Sequence, residues 1–437
     1  MNLKVPNIVA VAAGFLLAAF FLLVFALGVA VQRYQLPGYR LLNEVETALR
    51  VSVDKTIGEL PWYYQQSERI DIIEKYDERE DSSGLNLVTA VGPDSSLILK
   101  VMDMGGVTIH EWAVDWFDLW SDAEHLDDAD LPKSRPGTHI HGAAILPQGD
   151  VVFNFEKLGM VRLSRCGEVQ WRLPYRTHHS IFIDEEGFIW TAGQSEDVGA
   201  RDAYPMHLPP VREPMVVKVS PEGEIVQKIS VFDLLAENDQ LALLYMRASS
   251  IYNTITDDTL HLNDVEVFPS TMEEGVFKHG DIMLSLRNIH TVLVFDPETL
   301  KIRFIKVGGF VRQHDPDFID GNTITVFDNN NIARRGDGQQ SRIIEIDARS
   351  GNSKLVYTGN VGQPFYTHIM GKHQWLDNGN LLISDAVSGR GFEVDTDGQI
   401  RWEYINLVDD GLIGIVEEVT RLPEEFAEVF AEPCPAL

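Results

Sequence analysis

The chain has 437 residues, 44% of them hydrophobic, with 34 Gly and 20 Pro, a balance that excludes disorder and favours a turn-rich β protein with one large core or two ordinary ones. A formal net charge of −30 excludes nucleic acid and an anionic membrane surface as partners, because both repel it. An anionic substrate therefore needs local cationic help.

No charge occurs between Val5 and Gln32, and Ile8–Val31 offers 24 uncharged residues where about 20 cross a bilayer as a helix. The expectation is a retained membrane anchor over residues 1–33. A cleaved secretory signal ending at Gly28-Val29-Ala30 is the alternative, although the run exceeds the roughly 7–15 residues of a signal core. Lys4 lies on one side of the run and Arg33 and Arg40 on the other, so charge leaves the orientation open. Residues 34–84 read as a polar, partly helical stalk, broken at Leu36-Pro37-Gly38 and Leu60-Pro61-Trp62.

From Leu85 to about Ile405 the pattern changes to short alternating strands separated by Gly, Asp and Pro turns. Five four-stranded units follow one another, led by His141, His178-His179, His261, His314 and His373. The unit led by His314 is the clearest: a polar turn Gln313-His314-Asp315, a short strand, a turn at Asp320-Gly321-Asn322, and a strand Thr323–Phe327 ending in Asp328-Asn329-Asn330. An opening unit, Leu85–Val114, supplies only three strands, and the strand-like Val416–Leu422 in the tail 406–437 is the candidate for the fourth. The predicted fold is thus all-β, a six-bladed β-propeller over 85–405 preceded by an N-terminal transmembrane helix. The wide interval before His261 is assigned to a loop, Gln194–Pro214, and a helix, Phe232–Ala248.

The first strand of each propeller blade lines the central channel, so His141, His179, His261, His314 and His373 are expected to converge at one mouth. The turn position of His314 predicts an exposed imidazole. Cys166 and Cys434 are too few for a disulfide framework; unpaired thiols are the expectation, with one disulfide open to an oxidising compartment. No Walker A, HExxH or GxSxG motif occurs.

The segments THHSIFIDEEG, HLNDVEV with DIMLSLRN, and QHDPDFIDGNTITVFDNNN resemble the bacterial arylsulfate sulfotransferase family, propeller enzymes that move a sulfuryl group between phenols. The resemblance covers roughly Leu85–Ile405 and places the body on the periplasmic side. It implies a catalytic set of His314, His261, Arg287 and His179, with His178 as the alternative to His179, and Asn263 beside them. His141 and His373 join the substrate-binding set through the ring argument. The sequence departs from the family at Asn330, where a Gly is usual, and at Leu286, where a Ser usually precedes the Arg.

Those residue types suit the chemistry. A neutral imidazole attacks sulfur, a guanidinium fork holds the sulfuryl oxygens, and further imidazoles exchange a proton with the phenol. The implied partners are an aryl sulfate and a phenol, with no cofactor and no metal; the oligomeric state stays open. Two other readings stand: a metal-binding propeller using the histidines with Asp315, Asp317 or Asp328, and a non-catalytic, membrane-anchored binding propeller.

Overall fold

The computed structural model describes residues 19–28, 60–75, 84–195, 203–247, 255–332, 339–409, 411–432 and 434, in two compact units, Met1–Trp62 and Tyr63–Leu437. In the first unit residues 19–28 are helical, and the rest of the run Ile8–Val31 lies outside the described residues. Among the described residues no helix is long and apolar enough to cross a membrane, so the anchor expected over residues 1–33 is not observed.

The second unit is all-β and propeller-like. Four successive sheets each contain four antiparallel strands in chain order, or in one case nearly so. The first of them holds Ile140–Ile145, Val151–Phe155, Gly159–Leu163 and Val169–Leu173. The next holds Thr177–Ile183, Ile189–Ser195, Glu213–Val219 and Ile225–Ser230, skipping His207–Val211, which pairs elsewhere with Ile255–Asp257. Then come the sheets led by Leu262–Val267 and by His314–Asp320. A further sheet runs from Lys372–Trp375 to Ile400–Ile405 and takes Ile73–Lys75 as a fifth strand. In another four-stranded sheet Val416–Leu422 pairs with Leu85–Val91, which continues to Leu97–Asp103 and Thr108–Glu111.

Burial explains the strand order. The second strand of a sheet lies between two neighbouring sheets and is buried on both faces, as in Val151–Phe155 and Leu381–Asp385, and reads as a near-continuous apolar run. The fourth strands, such as Val169–Leu173 and Ser353–Thr358, are largely exposed. Apolar clusters fill the spaces between consecutive sheets: Trp190, Leu262 and Phe295 between one pair, Phe268, Phe318 and Ile346 between the next, and Phe327, Phe365 and Phe392 beyond that. Leu99, Val101, Phe153 and Leu422 fill the space where the C-terminal strand meets the sheet led by Ile140. Each fully buried side chain of this size contributes about 1.5–3 kcal/mol. The inner strands are neighbours in a closed circuit, from Ile140–Ile145 through those at Thr177, Leu262, His314 and Lys372 to Val416–Leu422 and back.

Three expectations need correcting. The helix read over Phe232–Ala248 is two short helices, Val231–Glu237 and Leu241–Leu244, because Asp239 takes a positive φ of 59° that breaks the helical run. The stalk's residues 34–59 and 76–83 lie outside the described residues, and the described part holds two short strands where a partly helical stalk is expected: Tyr64–Gln66 pairs with Leu412–Gly414 and Ile73–Lys75 with Trp402–Tyr404. Finally, Cys166 and Cys434 form a disulfide, tying the C-terminal segment to the turn before Val169–Leu173.

Candidate active site

The inner strands do not enter the channel straight. Their registers slip between Ile140 and Ala143, between His178 and Ile181, between Leu262 and Asp264, and between His314 and Pro316. A bulge of this kind bends a strand and re-aims the side chains at the bend. The same bends carry positive φ at Gly142 (93°), His179 (60°), His261 (57°) and Asp315 (45°). For the non-glycine residues this costs of order 1–3 kcal/mol each, a strain that concentrates at functional sites. Gly142 has a steric reason as well, since a Cβ there would lie 1.8 Å from the carbonyl oxygen of His179.

The imidazoles so aimed gather closely. Ring centroids are 4.0 Å apart for His141 and His179, 4.9 Å for His179 and His261, and 6.4 Å for His179 and His314, the last pair stacked. His178 is 4.8 Å from His179, and their Nδ1 atoms share one hydrogen bond at 2.6 Å. Asn263 joins them in the cleft, its amide donating to the carbonyl of Gln313 at 2.8 Å while its Oδ1 is buried without a partner. Gln313 is held in turn by its own donation to Ser285 Oγ at 3.1 Å and to the carbonyl of Thr291 at 3.0 Å.

His314 is buried, only 4% exposed, which corrects the expectation of an exposed imidazole: its strand begins at His314 itself, inside the sheet. Its Nδ1 lies 2.6 Å from Asn329 Oδ1. Asn329 commits its amide protons to the carbonyls of Thr367 (3.0 Å) and Met370 (2.8 Å), so Oδ1 must be the atom that faces the imidazole. His314 Nδ1–H is therefore the donor, and Nε2 carries a lone pair. That Nε2 is buried and unpartnered. Burial, and then the charge of Arg287, hold the imidazole well below its ordinary value, so it is neutral at pH 7.

Arg287 opens the short 3₁₀ turn Arg287–Ile289 at the end of strand Ile282–Leu286, and its backbone N–H donates to the carbonyl of His261 at 3.0 Å. Its Nε is buried without a partner, and among the described residues its guanidinium makes no ion pair. Burial lowers it to about 10, against the pull of Asp258, which leaves it charged. Asp258 also receives His261 through the backbone N–H at 2.9 Å and Nδ1 at 2.5 Å, so His261 too points an unpartnered Nε2 into the protein. Despite that carboxylate, burial lowers His261, and it lowers His178 to about 3 and His179 well below the ordinary range. Burial keeps His178, His179, His261 and His314 neutral, and the last two feel the charge of Arg287, which makes no ion pair among the described residues; such an arrangement suits an anion and offers a nucleophilic nitrogen to it.

His373 does not join it. Its strand, Lys372–Trp375, pairs with Leu381–Ser384 without a bulge, so nothing turns the ring to the cleft. Nδ1 is 3.0 Å from Asp315 Oδ2 and Nε2 is 2.8 Å from Thr325 Oγ1, which leaves neither nitrogen for a substrate. Residues that the sequence did not single out hold the cluster: Asp258, Asn329, and Glu156, which takes the Nδ1–H of His141 at 2.9 Å. Asn329 stands within the quoted strand end Asp328-Asn329-Asn330, and Asp258 three positions before His261, so both were near a visible signal. Asn330, where the family has Gly, takes a φ of 50°, a left-handed conformation that Asn tolerates better than most residues.

The family described as arylsulfotransferase (ASST) matches residues 142–407, which span every one of these bends but the first. The chain belongs to the arylsulfotransferase family. Sulfuryl transfer is the chemistry of that family. No curated protein matches the chain significantly. Among solved structures, a protein of unknown function from Bacteroides caccae is 12% identical, with a TM-score of 0.47 over 78% of this chain and 99% of that one. A nidogen/laminin complex gives 11% identity and 0.45 over 78% and 99%, and a streptogramin B lyase 11% and 0.38 over 77% and 88%. These scores are too low to carry an argument.

Proposed function

We propose that this arylsulfotransferase moves a sulfuryl group from an aryl sulfate to a phenol through a sulfohistidine on His314, on a six-bladed propeller. The observation that carries the reading is the tautomer: Asn329 holds the Nδ1–H and leaves the Nε2 lone pair buried and unpartnered. In the first half-reaction Nε2 attacks sulfur, the bond from sulfur to the aryl oxygen breaks, and the phenolate leaves. The imidazole becomes cationic, and Asn329 Oδ1, still accepting from Nδ1–H, stabilises it. In the second half-reaction the acceptor oxygen attacks sulfur, the N–S bond breaks, and the acceptor's proton passes to His261 Nε2, whose other nitrogen is fixed on Asp258. Arg287 neutralises the sulfuryl oxygens in both steps. No step draws on a cofactor.

The cleft encloses only about 10 Å³, room for one water-sized body, so the aryl sulfate must widen it on entry. We further propose that the body stands on the extracytoplasmic side, anchored through Ile8–Val31. The length of that uncharged run and the disulfide between Cys166 and Cys434 support this, because disulfides persist in oxidising compartments. Turnover of a chromogenic aryl sulfate with a phenol acceptor tests the reading. Wild-type protein should release phenolate and sulfate the acceptor, whereas an inactive wild type with every donor and acceptor tried would remove it.

A further inference from the structure

Sulfuryl transfer gives Glu417, in the lining of the cleft, no task. Glu417 stands on the closing strand Val416–Leu422, is 3% exposed, and neither of its carboxylate oxygens has a partner. A buried carboxyl in that condition is costly unless something beyond the chain completes it. One oxygen of Glu417, one nitrogen of His139 and one nitrogen of His141 all lie within 4.8 Å of one another. His141 gives its Nδ1–H to Glu156 at 2.9 Å, which fixes the tautomer and leaves the Nε2 lone pair as its ligand atom. A carboxylate behind an imidazole in this way is the usual support of a metal-bound histidine.

We propose that His139, His141 and Glu417 bind one first-row divalent cation. Two imidazoles and a carboxylate suit zinc, with a water as fourth ligand. The ligands come from the two ends of the circuit: His139 precedes and His141 stands on the first inner strand, and Glu417 belongs to the last, its neighbour. A cation there clasps the ring shut, so it should stabilise the fold as well as add positive charge beside the His314 cluster. Two other groups have metal-ligand spacing, His141–Glu156–His179 and Asp315–Asp317–His373. In the first, Glu156 already holds His141 and the Nδ1 of His179 is taken by His178, and in the second, Lys372 and the protons of His373 already answer the carboxylates.

The proposal does not depend on the sulfuryl-transfer reading and is tested without turnover. Metal-stripped full-length protein is dialysed against zinc, and bound metal and the thermal midpoint are measured. Wild type should take up one equivalent, with a midpoint that rises with zinc. Glu417→Gln and His139→Ala should each bind at least tenfold more weakly and lose that rise. His373→Ala should bind as wild type does. No stoichiometric uptake by wild type, uptake unchanged in both ligand variants, or uptake lost in His373→Ala would each overturn the assignment. Should Glu417→Gln fail to fold, His139→Ala decides alone.

Discussion

Two histidine environments lie side by side on adjacent inner strands and behave in opposite ways. Around His314, both His314 and His261 have Nδ1 fixed by an amide oxygen or a carboxylate and a bare Nε2, His178 and His179 hold each other, and Arg287 makes no ion pair among the described residues. Around His373 every donor is answered: both nitrogens are bonded, and Lys372 lies 3.9 Å from Asp315 and 3.5 Å from Glu418. The electrostatics follow. Burial drives the first group down, whereas Asp317 and Asp315 outweigh burial and raise His373. A half-satisfied cluster of this kind is costly to maintain and is where chemistry is expected; a satisfied one holds strands together.

The sharpest way to break this contrast is to exchange roles. His314→Asn keeps a polar side chain but loses the nucleophile, and turnover of a chromogenic aryl sulfate should fall on the order of 10⁴-fold or more. A fall under tenfold would make His314 another structural histidine. Arg287→Ala should lower kcat/KM on the order of 10²–10³-fold with the fold intact, since among the described residues its guanidinium makes no ion pair. Asn329→Ala tests a positioning residue: kcat should drop about 10–100-fold. The acidic limb of the pH profile should then move to lower pH, because the hydrogen bond from His314 to Asn329 raises the imidazole. An unmoved limb would leave Asn329 with packing alone.

On the other side, His373→Ala should leave kcat close to wild type and destabilise the protein by about 3–5 kcal/mol in urea unfolding, since Asp315 and Asp317 lose their buried partner. The smallest effect is in pH. His178, His179, His261 and His314 titrate below the ordinary imidazole value when folded, so the unfolded chain gains protons first, and stability drops as pH falls through about 6.5. His373 has the opposite sign: its contribution is complete below the ordinary value and is lost as pH rises through its raised folded value. Between pH 7 and 5, His314→Asn should therefore lose less stability than wild type, and His373→Ala more. Equal losses in all three would mean that the two environments do not differ in charge.

What the sequence reveals and what it conceals divide along physical lines. Alternation and turn residues mark the strands because each sheet is buried by its neighbours, and Val416–Leu422 is legible for the same reason. The leading histidines are visible, but treating them as one repeat position conceals a difference of register. His179 and His261 sit at bends with positive φ, while His373 stands on a regular strand, and a bulge leaves no periodic signature in composition. The buried state of His314 is hidden too, since it depends on Met370, Gly371 and the other segments that meet at the cleft. Asp258, Glu156 and Glu417 lie off the repeat position, and only tertiary structure brings them to the imidazoles.

The most direct measurement is mass spectrometry of the wild-type protein incubated with an aryl sulfate and no acceptor, digested at neutral pH to spare the N–S bond. The account predicts a gain of one sulfuryl group on the peptide carrying His314, its loss on addition of a phenol, and its absence from His314→Asn. An unmodified His314 during active turnover, or a sulfuryl group on another residue that persists in His314→Asn, would contradict it.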